Sequence, residues 1–343
     1  MPPVGKIINT VAIQVTDACN LDCVICGQRY NRKRRRSNAT YIDVDSLAYL
    51  YGSKLQRVKR TYLWGGEPTL HPSLAEICEL GRRKTAKVVI NTNGTRSDVV
   101  LELFHRKLID LVIVSIDGPE EINDGIRGRG SYRSAVRLLR SLAQANPEAV
   151  RCNIALSRHN VDHLAATVTA IEQCGVRRVS VQLPMFVYPE LGQRYMERVH
   201  SVLDSWPESW EGFSELRPAL PDSERVHRAL SEFVRNTRIR PDLFPRHECS
   251  ADFYTRYFCQ EVNLVKTEQV DCGFQERSLA IDAGGNIVLC PDFPDVVVAH
   301  ITEEASVAKT FEKKDELLER LGWPLGICYR CCHNRLAARK GTG

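Results

Sequence analysis

Residues 11–26 read VAIQVTDACNLDCVIC. The opening run is short, apolar and partly β-branched, as in a buried strand. Directly after it, Cys19, Cys23 and Cys26 form C-x3-C-x2-C, so a single loop presents three thiolates towards one point. Three protein ligands would leave one iron of a four-iron cluster without a side chain, and an open coordination position is where a metal acts on a bound molecule. A closed zinc site needs a fourth ligand, and the nearest histidine in sequence is His71. On spacing alone a cluster and a zinc site fit equally, and three incidental thiols are the plain alternative.

Outward from this loop, apolar β-branched runs at 11–15, 61–64, 87–90, 111–116, 151–156 and 178–183 alternate with helix-like stretches. That alternation predicts βα repeats on a parallel sheet. Between the last two runs, Asn160 reads as a helix N-cap. Val161, Leu164, Ala165, Val168 and Ile171 recur at helical spacing, and Gly175 reads as the stop. The pattern then breaks, and 188–270 reads as a connector of irregular helices. Beyond it, LAIDA and NIVLC flank Gly284 and Gly285 as a hairpin, followed by a helix over 306–321.

The cysteine spacing, with Asn20 after the first Cys, resembles the radical S-adenosylmethionine (SAM) superfamily, in which the unique iron chelates the amino and carboxylate groups of SAM. Three further motifs carry the likeness: GGEP at 65–68, NTNG at 91–94 and SIDGPEEINDGIRGRG at 115–130. The resemblance spans about residues 8–185. It implies an α/β fold, a partial (β/α)6 TIM barrel, with its motifs on the rim at the carboxyl ends of the strands. It also implies that Gly65, Gly66 and Glu67 meet the SAM amino group, that Asn93 faces the cofactor, that Ser115 and Asp117 lie near the ribose, and that Arg127 meets the carboxylate. Asn153 and Gln182 are added from strand position. Ordinary turns, a surface arginine and satisfied polar side chains are the bland alternatives.

Cys272, Cys290, Cys328 and Cys331 form a second group, with Gly285 five residues before Cys290 and C-x2-C at the end. A zinc ribbon would suit these residues as well as iron does. The spacing resembles the Twitch subdomain of radical SAM enzymes, the short relative of the SPASM domain. That resemblance implies a small C-terminal α+β auxiliary iron-sulfur domain over 271–343, after the barrel at 1–187. Because only Cys332 follows, one auxiliary [4Fe-4S] cluster is expected beside the SAM-binding [4Fe-4S] cluster, and Cys332 could replace Cys331 as a ligand.

Cys78, Cys152 and Cys174 read as buried packing residues. Cys249 and Cys259 fall in the connector, where a thiol near the active-site mouth could return a hydrogen atom to a substrate radical; packing or auxiliary ligation is the alternative. Arg29, Arg32, Lys33, Arg34, Arg35 and Arg36 make a basic run expected to be solvated and mobile, or to attract an acidic peptide or another anion. No aromatic-rich RNA-binding module accompanies it, which disfavours nucleic acid. The net charge of +5 assigns no partner. No apolar stretch reaches membrane-spanning length and no secretory signal opens the chain, so a cytoplasmic protein is expected.

Three functions follow from these readings. The first is hydrogen abstraction from a small polar metabolite, a sugar, aminocyclitol or aminoglycoside, giving an epimer or an oxidised product. A strand so close to the start, with no separate recognition domain before it, favours this small substrate. The second is a maturase that crosslinks or epimerises a ribosomal peptide. The third is a non-enzymatic zinc-binding protein. Both enzymatic readings need an electron donor such as flavodoxin or ferredoxin.

Overall fold

A computed structural model of the chain describes residues 8–35, 38–258, 268–272, 274, 278–331 and 333–338. Cys259, Cys332 and Arg36 lie outside the described residues. The strands are β1 (Ile8–Thr16), β2 (Val58–Gly65), β3 (Val88–Thr92), β4 (Leu111–Ser115), β5 (Val150–Ala155), β6 (Arg178–Gln182), β7 (Arg240–Phe244), β8 (Glu268–Cys272), β9 (Ser278–Ile281), β10 (Asn286–Val288), β11 (Val297–His300) and β12 (Asn334–Ala338). The helices are α1 (Gly27–Arg35), α2 (Val44–Tyr49), α3 (Leu74–Lys84), α4 (Ser97–His105), α5 (Glu120–Arg127), α6 (Ser131–Ala145), α7 (Leu164–Glu172), α8 (Pro189–Leu203), α9 (Glu211–Ser214), α10 (Ser223–Asn236), α11 (Ala251–Phe258) and α12 (Val307–Leu321). All six expected strands form within a few residues of their anticipated bounds. Alternating parallel strands and helices over the first half are those of a partial β/α barrel.

The chain divides into two compact units that interleave along the sequence, one holding 1–20, 35–113 and 274–323, the other 21–34, 114–273 and 324–343. In the first unit β1 lies between two parallel neighbours, β2 and β9. Val11, Ala12, Ile13 and Val15 are wholly buried as a result. A parallel strand covered on both faces reads as a continuous apolar run, which is why VAIQV was legible as a strand. β9 and β10 form the expected hairpin, and Gly285 turns it at φ 85°. The hairpin was expected within a separate C-terminal domain, yet β9 continues the sheet of β1, with Thr10 opposite Ser278 and Ile13 opposite Ile281.

In the second unit β5, β6 and β7 are parallel. β7 falls inside the stretch expected to be only irregular helix. Its sequence, RPDLF, hides a strand because proline interrupts the pattern, but a strand at the edge of a sheet tolerates the missing N–H. β8 and β12 form a separate antiparallel ribbon, with Cys272 opposite Asn334.

One local expectation also changes. Asn160 does not cap a helix with its side chain; the amide donates to the carbonyls of Asp117 and Ala155 and accepts from the backbone N–H of Ser157. A short 3-10 turn, Val161–His163, leads into α7 instead, while Gly175 ends the segment at φ 83° as anticipated. The start of the basic run lies on α1, where Asp22 pairs with Arg29 at 2.6 Å and with the exposed Lys33 at 2.8 Å. Cys78, Cys152 and Cys174 are buried, as packing residues should be. No helix among the described residues is long and apolar enough to cross a membrane.

Leu138 on α6 is fully buried. Leu138→Ala is expected to lower unfolding stability by about 2–5 kcal/mol, measured by urea denaturation.

Candidate active site

In the first unit two backbones stand in close approach. The N–H of Gly66 donates to the carbonyl of Thr16 at 2.8 Å, and that of Glu67 to the carbonyl of Ala18 at 2.7 Å. A Cβ on Gly66 would stand 2.0 Å from the Ala18 carbonyl oxygen, and one on Gly65 2.2 Å from that of Thr16. The glycines are therefore required by the segment leading into Cys19, before any ligand is considered.

Glu67 is completely buried. Its Oε1 accepts from the Thr69 N–H and the hydroxyls of Thr69 and Thr92, and its Oε2 from the Asn93 N–H at 2.7 Å. Burial pushes the carboxyl above its ordinary range, although these four bonds favour the charged form. Glu67, expected to meet the SAM amino group, here ties the end of β2 to the end of β3, because an isolated buried charge would be too unfavourable. Asn93, expected at the cofactor, is likewise engaged within the protein. Its Nδ2 donates to Asn20 Oδ1 at 3.0 Å, and its Oδ1 accepts from the N–H and hydroxyl of Thr95. Asn20 in turn donates to Thr95 Oγ1 at 2.8 Å. The residue next to Cys19 is thus pinned by the NTNG turn. Thr92 lay within the NTNG motif without being given a role, and Thr95, just beyond it, carries no distinguishing pattern.

The second unit contributes Cys23 and Cys26. The Cys26 N–H donates to the Cys23 carbonyl at 3.2 Å, and the Val24 N–H to the carbonyl of Ile126 at 3.0 Å. Arg127 Nε lies 2.6 Å from Asp117 Oδ2, and the Asp117 side chain is fully buried. The other Asp117 oxygen accepts from the Ala155 N–H at 2.8 Å. Burial alone would lower the Arg127 pKa, but Asp117 and the sulfurs of Cys23 and Cys26 outweigh it and the net shift is upward. Asp117 and Arg127, of which ribose and carboxylate contacts were expected, meet each other, since a buried carboxylate needs a cation. Their pairing sets the Arg127 guanidinium, its charge met by Asp117, near Cys23 and Cys26. Asn123, fully buried and not singled out from sequence, holds this loop by accepting from the Asp117 N–H and donating to Ser131 Oγ.

Ser115 is buried at the end of β4. Asn153 on β5 and Gln182 at the end of β6 are half-buried, their strands in register with Asn153 opposite Ser180 and Ala155 opposite Gln182. Of the second cysteine group, Cys272, Cys328 and Cys331 belong to the second unit and Cys290 to the first, just beyond β10. The Cys331 N–H donates to the Cys328 carbonyl at 3.1 Å. Burial pushes the Cys328 thiol up, and Cys272 adds to the shift. As the side chains stand, no three His, Cys, Asp or Glu among the described residues form a metal-binding group, so both ligand sets rest on spacing and backbone placement. Cys249 lies between β7 and α11, 3.2 Å from the Tyr254 hydroxyl.

Residues 13–185, half of the chain, match the Radical SAM superfamily. The chain belongs to that superfamily. Mycofactocin maturase MftC of Mycobacterium tuberculosis is 32% identical over 167 residues, covering 47% of this chain and 41% of MftC. The chain therefore spans well under two thirds of the curated relative it matches. Among solved structures, Streptococcus suis SuiB bound to precursor peptide SuiA has a TM-score of 0.61 at 14% identity, covering 89% of this chain and 64% of SuiB. Native anSMEcpe with bound AdoMet has a TM-score of 0.60 at 15% identity, covering 94% and 88%. These two likenesses establish the fold.

Thr92→Val removes one donor to the buried Glu67 carboxylate. It is expected to lower unfolding stability by about 1–3 kcal/mol, and Gly66→Ala by more than ~1 kcal/mol. Both should also reduce the iron retained after anaerobic reconstitution, read by iron analysis.

Proposed function

We propose that this radical SAM protein is an enzyme that modifies a peptide, in place of the small-metabolite reaction first expected from sequence. The observation that carries the reading is the match to MftC, a maturase by name, over 167 residues. The fold shared with SuiB, a protein solved with its precursor peptide, supports it. Exposed Lys33 on α1 adds positive charge close in sequence to Cys26, where it would draw in an acidic peptide segment.

In this reading Cys19, Cys23 and Cys26 hold a [4Fe-4S] cluster, and Cys272, Cys290, Cys328 and Cys331 an auxiliary one. The residues present fit such groups: the donors are soft thiols. When bound, the cluster and SAM together supply the superfamily's one-electron chemistry, hydrogen-atom removal from unactivated carbon. Gly65 and Gly66, by admitting the backbone that leads into Cys19, set the loop that would receive SAM. The Oε2 of Glu67 accepts one protein hydrogen bond and retains an acceptor position for the SAM ammonium. Ser115, Asn153 and Gln182, at or near the carboxyl ends of their strands, face the nucleoside and the substrate. Cys249, in the loop after the carboxyl end of β7, returns a hydrogen atom to the substrate carbon. Its S–H bond breaks as the new C–H bond forms, and one electron from a flavodoxin- or ferredoxin-type donor with one proton from solvent restores the thiol.

Anaerobically purified protein is expected to carry about eight iron atoms per chain with matching sulfide; zinc without sulfide would remove the radical reading. Reduced enzyme given SAM and deuterated synthetic peptides with acidic leading segments should place deuterium in 5′-deoxyadenosine. Label arriving instead from deuterated aminoglycosides would restore the small-metabolite substrate.

A further inference from the structure

We propose that Trp64 and Asn91 form a subsite that grips the main chain of one extended residue of a peptide substrate. The indole N–H donates to that residue's carbonyl oxygen, and the Asn91 amide oxygen accepts from its N–H. The proposal rests on the reading of this protein as a peptide-modifying enzyme.

Gln14 on β1 stands opposite Trp64 on β2, and Trp64 and Asn91 come one step beyond the last paired residues of β2 and β3, Leu63 and Ile90. Residues level with one another on neighbouring strands share a face, at a spacing of about 4.8 Å. Gln14, Trp64 and Asn91 therefore make a row across three strands, all half-buried. The residues before them, Ile13, Leu63 and Ile90, point to the other face and are fully buried. Helix α3 covers that apolar face. A Cβ on Gly81 would stand 3.4 Å from a methyl of Thr61 and from one of Val88, and these alternate onto the same side as Leu63 and Ile90. The polar row thus lies on the face turned away from the helix, the inner one in a β/α barrel, near the carboxyl ends where ligands gather.

Two atoms of this row are buried without a partner. Trp64 Nε1 and Asn91 Oδ1 make no hydrogen bond among the described residues. A few positions further along each strand the protein behaves differently, since every side-chain oxygen of Glu67 and Asn93 has a donor. A buried polar atom left unpaired costs stability, so a donor and an acceptor orphaned side by side point to a ligand that supplies both. Trp210 and Trp323 also carry buried indoles of this kind, but neither lies on a strand with an orphaned acceptor level with it.

The shape of the ligand follows from that pair. In an extended chain the N–H and C=O of one residue point to the same side, as when two residues of antiparallel strands exchange both bonds. One such residue laid across β2 and β3 meets the Asn91 oxygen with its N–H and the indole with its carbonyl. Both contacts are to main chain, so the subsite reads conformation and leaves the side chain accessible for modification.

The test follows the Trp64 indole proton by proton–nitrogen NMR, in anaerobically reconstituted holoprotein labelled at its four tryptophans. Loss of one resonance in Trp64→Phe assigns it; should that variant not fold, phenylalanine substitutions at Trp206, Trp210 and Trp323 assign it by elimination. The probe is N-acetylglycine N-methylamide, titrated into the tens of millimolar. It is compared with the N-acetylsarcosine analogue, which lacks the residue's N–H. The glycine probe should move the Trp64 proton downfield and saturate, and the sarcosine analogue should need about tenfold more ligand. Asn91→Leu should bind the two probes alike, whereas Asn91→Asp, which keeps an acceptor, should retain the preference. A Trp64 resonance unmoved by the glycine probe, or a preference that survives in Asn91→Leu, overturns the subsite. A resonance that moves with SAM alone overturns it too, by giving the two atoms to the cofactor. The peptide reading fails separately, if deuterium reaches 5′-deoxyadenosine from aminoglycosides and not from peptides.

Discussion

The contact on which the first unit depends is the approach of the Gly65–Gly66 backbone to that of Thr16–Ala18. Two short hydrogen bonds join the exit of β2 to the exit of β1, at a separation that admits no side chain on the glycines. Everything nearby is arranged around that seam. Glu67 follows directly and reaches the end of β3, and the Asn93–Asn20–Thr95 set then fixes the residue beside Cys19. A ligand loop held this way does not need the ligand to organise it.

The polar groups of the site share one design. Glu67 is satisfied by four protein donors, Asp117 by Arg127 and a backbone N–H, and Asn160 by three backbone groups. Each is buried, and a buried polar group left without partners is strongly unfavourable. Motif residues that look like ligand contacts in a sequence can therefore be the supports that hold neighbouring contacts in place. Such supports tolerate little change, since altering one strands its partner.

The sequence made much of this legible, for identifiable reasons. Strands buried on both faces announce themselves as unbroken apolar runs, as VAIQV and LVIVS do. The cysteine spacing and the glycine pair were readable because the chemistry demands rare residue types at fixed intervals. What stayed hidden depends on partners distant in sequence. Nothing in RPDLF signals β7, because an edge strand needs only one neighbour and accepts proline. The destination of β9 was equally silent: its alternation predicts a hairpin, but the vacant side of β1 decides where the hairpin goes. Charge could be read and pairing could not, so Arg127 looked available until Asp117 was placed beside it.

The position of β9 has a bearing on how the protein is made. β1 acquires its second neighbour only when residues 278–281 have emerged, long after β2 is in place. Until then one side of the most deeply buried strand exposes unpaired backbone groups, a surface that invites association with other nascent chains. That flank closes once residues 278–281 pair with β1.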